Sequence, residues 1–178
     1  MKFYRQLIES IIDIPRKTYA PGVFDNADTE NPKLKQKVLD MIDKQIKEFE
    51  KLAPVVSTSL IGSILTKRYR NDADLDINVL FDVADEDKEA MSEKLRGIVR
   101  EVNGKNVPGS VHPVNYFVIV DRSVYDKANK MADDVFDIVH DRFEKRTQSK
   151  PFDIEDYMKE FRARVEKIDI AKGEFNRD

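Results

Sequence analysis

An apolar run from Val55 to Ile61 leads directly into Gly62-Ser63, and after ten further residues a second apolar stretch opens with Asp74-Leu75-Asp76. No other feature of the chain restricts its fold so tightly. Residues i and i+2 of a strand project from the same face, with Cβ atoms about 6–7 Å apart. Two carboxylates placed in this way suit a pair of hard cations held by oxygen ligands. A Gly-Ser turn that opens a helix offers a phosphate its backbone N–H groups, a hydroxyl and the positive end of the helix dipole. Together the two pieces imply a seat for a nucleoside triphosphate and its magnesium ions. A bare Asp-x-Asp would mean little, since Asp74, Asp76 and Asn78 on a half-exposed strand could simply face water.

With 178 residues the chain can bury a substantial core, and the simplest expectation is one domain. Within it we expect a helical N-terminal extension over 1–53, a core over 54–121 and C-terminal helices over 122–178. Charged residues form 37% and hydrophobic ones 40%, the profile of a helix-rich globular protein. Acids outnumber bases by 34 to 31, so no broad nucleic-acid-binding surface is expected. The absence of cysteine excludes disulfides, a thiolate nucleophile and a Cys-type zinc site. No apolar stretch approaches the roughly 20 residues of a membrane span, and the N-terminus turns polar too early for a signal peptide. A cytoplasmic protein without a membrane partner is the expectation.

Periodicity supplies the organisation. Phe3, Leu7, Ile11 and Ile12 predict a short helix over 2–13, and residues 13–31, with Pro15, Pro21 and Gly22, read as a long loop. Such a loop, carrying Tyr19, Val23 and Phe24, should pack under the core or near a site mouth. Asn31-Pro32 is a helix start, and Leu34, Val38, Met41, Ile42, Ile46, Phe49 and Leu52 form its buried stripe up to Pro54. Strands follow at 55–61, 74–82 and 111–120, with a short helix opening at Gly62-Ser63 and another helix over 86–102. Val124, Ala128, Met131, Val135, Ile138 and Phe143 predict a long helix over 123–145, in which His140 is a surface residue. A last helix is expected over 152–175, either capped by Gly173 or continuing in a longer protein. The order gives an α/β (α+β) fold, a small mixed sheet with helices on one side.

At Gly62-Ser63 and Asp74-Leu75-Asp76, with Ile77, Val79, Leu80 and Phe81 behind them, the chain resembles the DNA polymerase β-like nucleotidyltransferase superfamily. The likeness is strongest to its minimal, stand-alone members and covers roughly residues 54–121. The resemblance implies that Asp74 and Asp76 ligate Mg²⁺ or Mn²⁺, and that Ser63 contacts the β- or γ-phosphate beside Gly62. The substrate it implies is a nucleoside triphosphate, expected to be ATP first, although no residue in the sequence chooses the base. It also implies a carboxylate on the third strand, where Asn115 stands by alignment of the apolar pattern. An amide can ligate a metal through its oxygen, but it takes no proton and adds no charge.

His112, three residues before Asn115, is a second candidate for a proton acceptor, or a structural residue at the strand entry. Lys67, Arg68 and Arg70, between the motif halves, would neutralise triphosphate charge, meet an acidic acceptor, or lie in a solvated loop. Two functions follow. One is an enzyme moving a nucleoside monophosphate from a metal-bound triphosphate to an acceptor hydroxyl on protein, RNA or a small molecule. The other is a catalytically impaired module that keeps the fold to bind nucleotide or a protein partner.

Overall fold

The computed structural model describes residues 16–147 and Arg162. The chain divides into two compact units, Met1–Thr147 and Gln148–Asp178, and the fold described is that of the first. The helices expected over 2–13 and 152–175 lie outside the described residues, apart from Arg162.

The N-terminal segment builds a small ribbon, β1 (Phe24–Asp25) against β2 (Lys33–Leu34), with Phe24 opposite Leu34. Helix α1 (Gln36–Glu50) therefore begins later than the Asn31-Pro32 signal predicts. The residue before a proline is driven towards extended backbone, and here the extended run continues as β2. Lys35 is still extended at the helix entry, and no side chain caps it. The amide of Leu34 is claimed by the Asp141 carboxylate at 3.0 Å. Tyr19, Val23 and Phe24 are buried, so the long loop is part of the core.

Strand β3 (Val55–Ile61) ends at Gly62 and passes into a single 3-10 turn, Ser63–Leu65. Strand β4 (Leu75–Phe81) follows, then a second 3-10 turn (Asp85–Asp87) and α2 (Lys88–Val102). A short β5 (Lys105–Asn106), unforeseen in the sequence, precedes β6 (Pro113–Ile119) and α3 (Arg122–Met131). Instead of continuing as the long helix expected to residue 145, the chain turns into a hairpin, β7 (Val135–Asp137) and β8 (Arg142–Lys145). Val135-Phe136 and Phe143 owe their burial to strand packing, with Phe136 edge-on to Phe143 and to Phe24. The turn is closed by Asp137, whose carboxylate accepts from the His140 amide, and by Asp141 at φ 48.

All but the β1–β2 ribbon join one mixed sheet in the order β5-β6-β4-β3-β7-β8. Strands β4 and β6 are parallel, and the remaining neighbours are antiparallel. A parallel pair needs a crossover, and α2 supplies it. One sheet face, with Leu60, Ile77, Val79, Phe81, Val114 and Tyr116, is buried in the main core beside Phe49 of α1 and Leu95 of α2. The other face carries Ser57, Ser59, Asp76, Asn78, Asn115 and Phe117, and α3 lies across part of it. No helix among the described residues is long and apolar enough to cross a membrane.

Candidate functional site

The pleat of β4 turns Leu75 and Ile77 into the core and leaves Asp76 half-buried on the opposite face. Across the sheet Asp76 is the register partner of Asn115 on β6 and of Ile61 on β3. This register brings three polar side chains together. The Asn115 amide nitrogen donates to Asp74 Oδ2 at 2.6 Å and leans towards Asp76 Oδ1 at 3.4 Å. A cationic or donor group between two carboxylates relieves their repulsion, and here an amide does so.

Gly62 stands against the Asp76 carboxylate. Its backbone has φ 95 and ψ −178, a conformation side chains rarely adopt. A Cβ there would lie 3.1 Å from Asp76 Oδ2. Glycine thus keeps one flank of the aspartates open. Burial raises the Asp76 pKa and the Asp74 charge raises it further, while the hydrogen bond from Asn115 works the other way. A raised carboxylate beside a second carboxylate is a site that gains from a bound cation.

The donors fit a hard divalent ion: two carboxylates, an amide that can rotate its oxygen inward, and a flank free of side chains. Among the described residues no group of three or more His, Cys, Asp and Glu side chains is arranged to hold a metal, so the charged donors number two.

Ser63 is exposed at the start of the 3-10 turn, and its carbonyl accepts from the amide and the hydroxyl of Thr66. This turn has three residues, too short to sum the helix dipole expected there. Any phosphate contact must rest on the Ser63 hydroxyl and local N–H groups. Lys67 is turned to Glu30 at 3.1 Å and lies 5.5 Å from the centre of the Tyr19 ring. Arg70 pairs with Asp72 at 3.2 Å. The Arg68 amide is held by the Thr66 hydroxyl at 3.0 Å. Arg16 grips the same segment, donating to the Tyr69 carbonyl at 3.1 Å and to Asn71 at 2.7 Å.

His112 is buried at the foot of β6, with Nδ1 at 2.7 Å from the Ala73 carbonyl and its ring edge-on to Tyr69. A nitrogen facing a carbonyl at that distance carries the hydrogen. The ring therefore fixes the chain immediately before Asp74. His140, expected on a helix, sits exposed in the β7–β8 turn and pairs with Asp137 at 2.6 Å. Asp121 accepts from the Ser123 amide at the start of α3.

One set of contacts escaped the sequence reading, in which Asn78 could simply face water. Ser59 and Asn78, both buried, donate to Asn129 Oδ1 of α3 at 2.9 and 3.1 Å, and Ser57 bonds Tyr125 at 3.0 Å. They continue the polar face away from the aspartates. Polar residues at alternate positions on two adjacent strands were the available signal. No protein-family model, curated protein or solved structure matches the chain.

Proposed function

We propose that the chain is a metal-dependent nucleotidyltransferase that takes a magnesium-bound nucleoside triphosphate, ATP first among them, and passes its monophosphate to an acceptor with release of pyrophosphate. The observation carrying this reading is the convergence of Asp74, Asp76 and Asn115 beside the bare flank of Gly62. The resemblance of the Gly62-Ser63 and Asp-x-Asp spacing to the DNA polymerase β-like superfamily supports it.

Asp74 and Asp76 would hold Mg²⁺ or Mn²⁺, with the Asn115 amide rotated to present its oxygen. The ion, when bound, would neutralise triphosphate charge as the α-phosphate is attacked. Gly62 lets the backbone approach the phosphates, and the Ser63 hydroxyl and amide would bond one of them. His112 holds the strand entry that aims Asp74. Positioning and charge stabilisation are the protein's contribution.

Changing both aspartates (Asp74→Ala with Asp76→Ala) should abolish divalent-dependent nucleotide binding while leaving the fold as stable or slightly more so, because a repelling pair is removed. Calorimetric titration with Mg–ATP tests this, and unchanged affinity in the double variant would sink the site.

Asn115 also favours a second reading, a module that binds nucleotide without turnover, since an amide cannot serve as a base. Transfer of label from α-labelled nucleotide to any acceptor separates the two readings.

A further inference from the structure

We infer that this site holds a single divalent ion and takes an acceptor whose attacking oxygen is already ionised, a phosphate or carboxylate oxyanion, in place of an alcohol. The inference rests on the nucleotidyl-transfer reading above.

Charge is the first ground. Asp74 and Asp76 match one divalent ion, and the side chain that meets both of them, Asn115, adds only a neutral amide. A second ion beside the attacking oxygen would have to draw on the same two carboxylates, since no third acidic or imidazole group joins a metal-holding cluster among the described residues. Hard divalent ions are held by charged oxygens more than by amide carbonyls, so the described residues offer no seat for a second ion.

Proton accounting is the second ground. An alcohol keeps its proton at neutral pH and needs a group to remove it as it attacks. Asn115 cannot accept one in either orientation of its amide. The imidazole of His112 carries its hydrogen on Nδ1, bonded to the Ala73 carbonyl, and keeps Nε2 as its acceptor, but the residue is buried and has the core-side parity of Val114 and Tyr116, opposite to Asn115 and Asp76. An oxyanion removes the requirement. One of its lone pairs forms the bond to the α-phosphorus, the bond from that phosphorus to the bridging oxygen breaks, and its electron pair leaves on pyrophosphate. No proton is transferred.

The segment joining Ser63 to Asp74, which adjoins the site at both of its ends in the chain, is basic. It carries Lys67, Arg68 and Arg70, and Arg16 is bonded to it through Tyr69 and Asn71. Lys67 and Arg70 are paired with Glu30 and Asp72, whose side chains are 73% and 72% exposed and can be displaced by an incoming anion.

The test uses the full chain. Mn²⁺ is titrated by electron paramagnetic resonance in the presence of α,β-methylene-ATP, for the parent and for Asn115→Asp. The parent should bind one ion per chain and the variant two. Two ions in the parent, or one in the variant, would overturn the inference. In parallel, α-labelled ATP and Mg²⁺ are incubated with inorganic phosphate, with acetate plus hydroxylamine as trap, or with glycerol. Pyrophosphate release accompanied by labelled ADP in the phosphate arm, or by acetohydroxamate and labelled AMP in the acetate arm, should run roughly a hundredfold faster than labelling of glycerol, the scale of a missing general base, and the arms show which oxyanion is used. Glycerol labelled as fast as either, or neither oxyanion labelled while Mg–ATP binds, overturns it. Failure of Mg–ATP to bind at all instead removes the nucleotidyl-transfer reading.

Discussion

The two faces of the central sheet are built from the same strands and behave in opposite ways. On one, Leu60, Ile77, Val79, Phe81 and Tyr116 are at most 2% exposed and meet α1 and α2 through apolar contact. On the other, Ser57, Ser59 and Asn78 are hydrogen-bonded to α3, whose one buried side chain is Tyr125, while Asn115 bonds Asp74 and Asp76. Strand alternation produces both faces at once, so one register error would exchange them. The first face supplies cohesion that needs no partner. The second spends its polar groups on a hydrogen-bonded helix at one end and on two carboxylates at the other. Apolar cohesion and the candidate site are thereby separated by the thickness of one sheet.

The largest expected effect breaks the apolar face. Phe49 is fully buried and stands edge-on to Phe81 at 5.9 Å and to Tyr116 at 5.5 Å. Phe49→Ala should cost about 3–5 kcal/mol in urea unfolding, the usual range for deleting a core aromatic ring. A loss under about 1 kcal/mol would mean that this face does not hold the sheet. On the polar face, Asn129→Ala leaves the buried Ser59 hydroxyl and Asn78 amide without their shared acceptor. The expected cost is about 1–3 kcal/mol for a donor left unpaired, and amide exchange in α3 should accelerate before the rest of the fold opens.

What the sequence could disclose follows the same division. Strands β3 and β4 were legible because each is an apolar run bounded by turn chemistry, and β3 begins and ends at the expected residues, Val55 and Ile61. The β-branched and aromatic run over 111–120 put Asn115 on a strand, and the parallel register seats it opposite Asp76. The region after Met131 was misread for a physical reason. Val124, Ala128, Met131, Val135 and Ile138 keep a helical period by coincidence, while Val135-Phe136-Asp137 pairs with β3. That pairing is non-local, and nothing within the hairpin's own period announces it. Pairing also overrode the helix signal at Asn31-Pro32, where Lys33 and Leu34 go to the β1–β2 ribbon. The Ser59–Asn129–Asn78 bonds depend on α3 crossing the sheet, which no spacing in the chain reveals.

A smaller perturbation tests the open flank of the aspartates. Gly62→Ala places a side chain at φ 95 and sets its Cβ 3.1 Å from Asp76 Oδ2. Backbone strain of about 1–3 kcal/mol is expected. Mn²⁺ affinity should fall with it, because Asp76 must turn away from the new methyl group. Lost stability with unchanged ion affinity would show that Gly62 serves the turn alone and that the polar face needs no open flank.

The smallest effect carries the sharpest sign. The Asp76 pKa is raised in the fold above its ordinary value of 3.8, chiefly by burial and next by the Asp74 charge. The folded chain therefore holds this proton more tightly than the unfolded one. Stability linked to it is complete below about 3.8 and is lost as pH rises through the raised value. At neutral pH the ionised pair is thus a liability to the apo fold. Asp76→Asn should melt higher than the parent at about pH 7, with the difference narrowing on acidification towards about pH 3. Asp134, raised by its own burial, titrates in both chains and cancels in the difference. Saturating Mg–ATP should reverse the order, because only the parent keeps both carboxylates for the ion. Melting curves across pH, with and without Mg–ATP, read both signs. A difference constant in pH would show that the Asn115 amide already satisfies the pair, and the polar face would then be as settled as the apolar one.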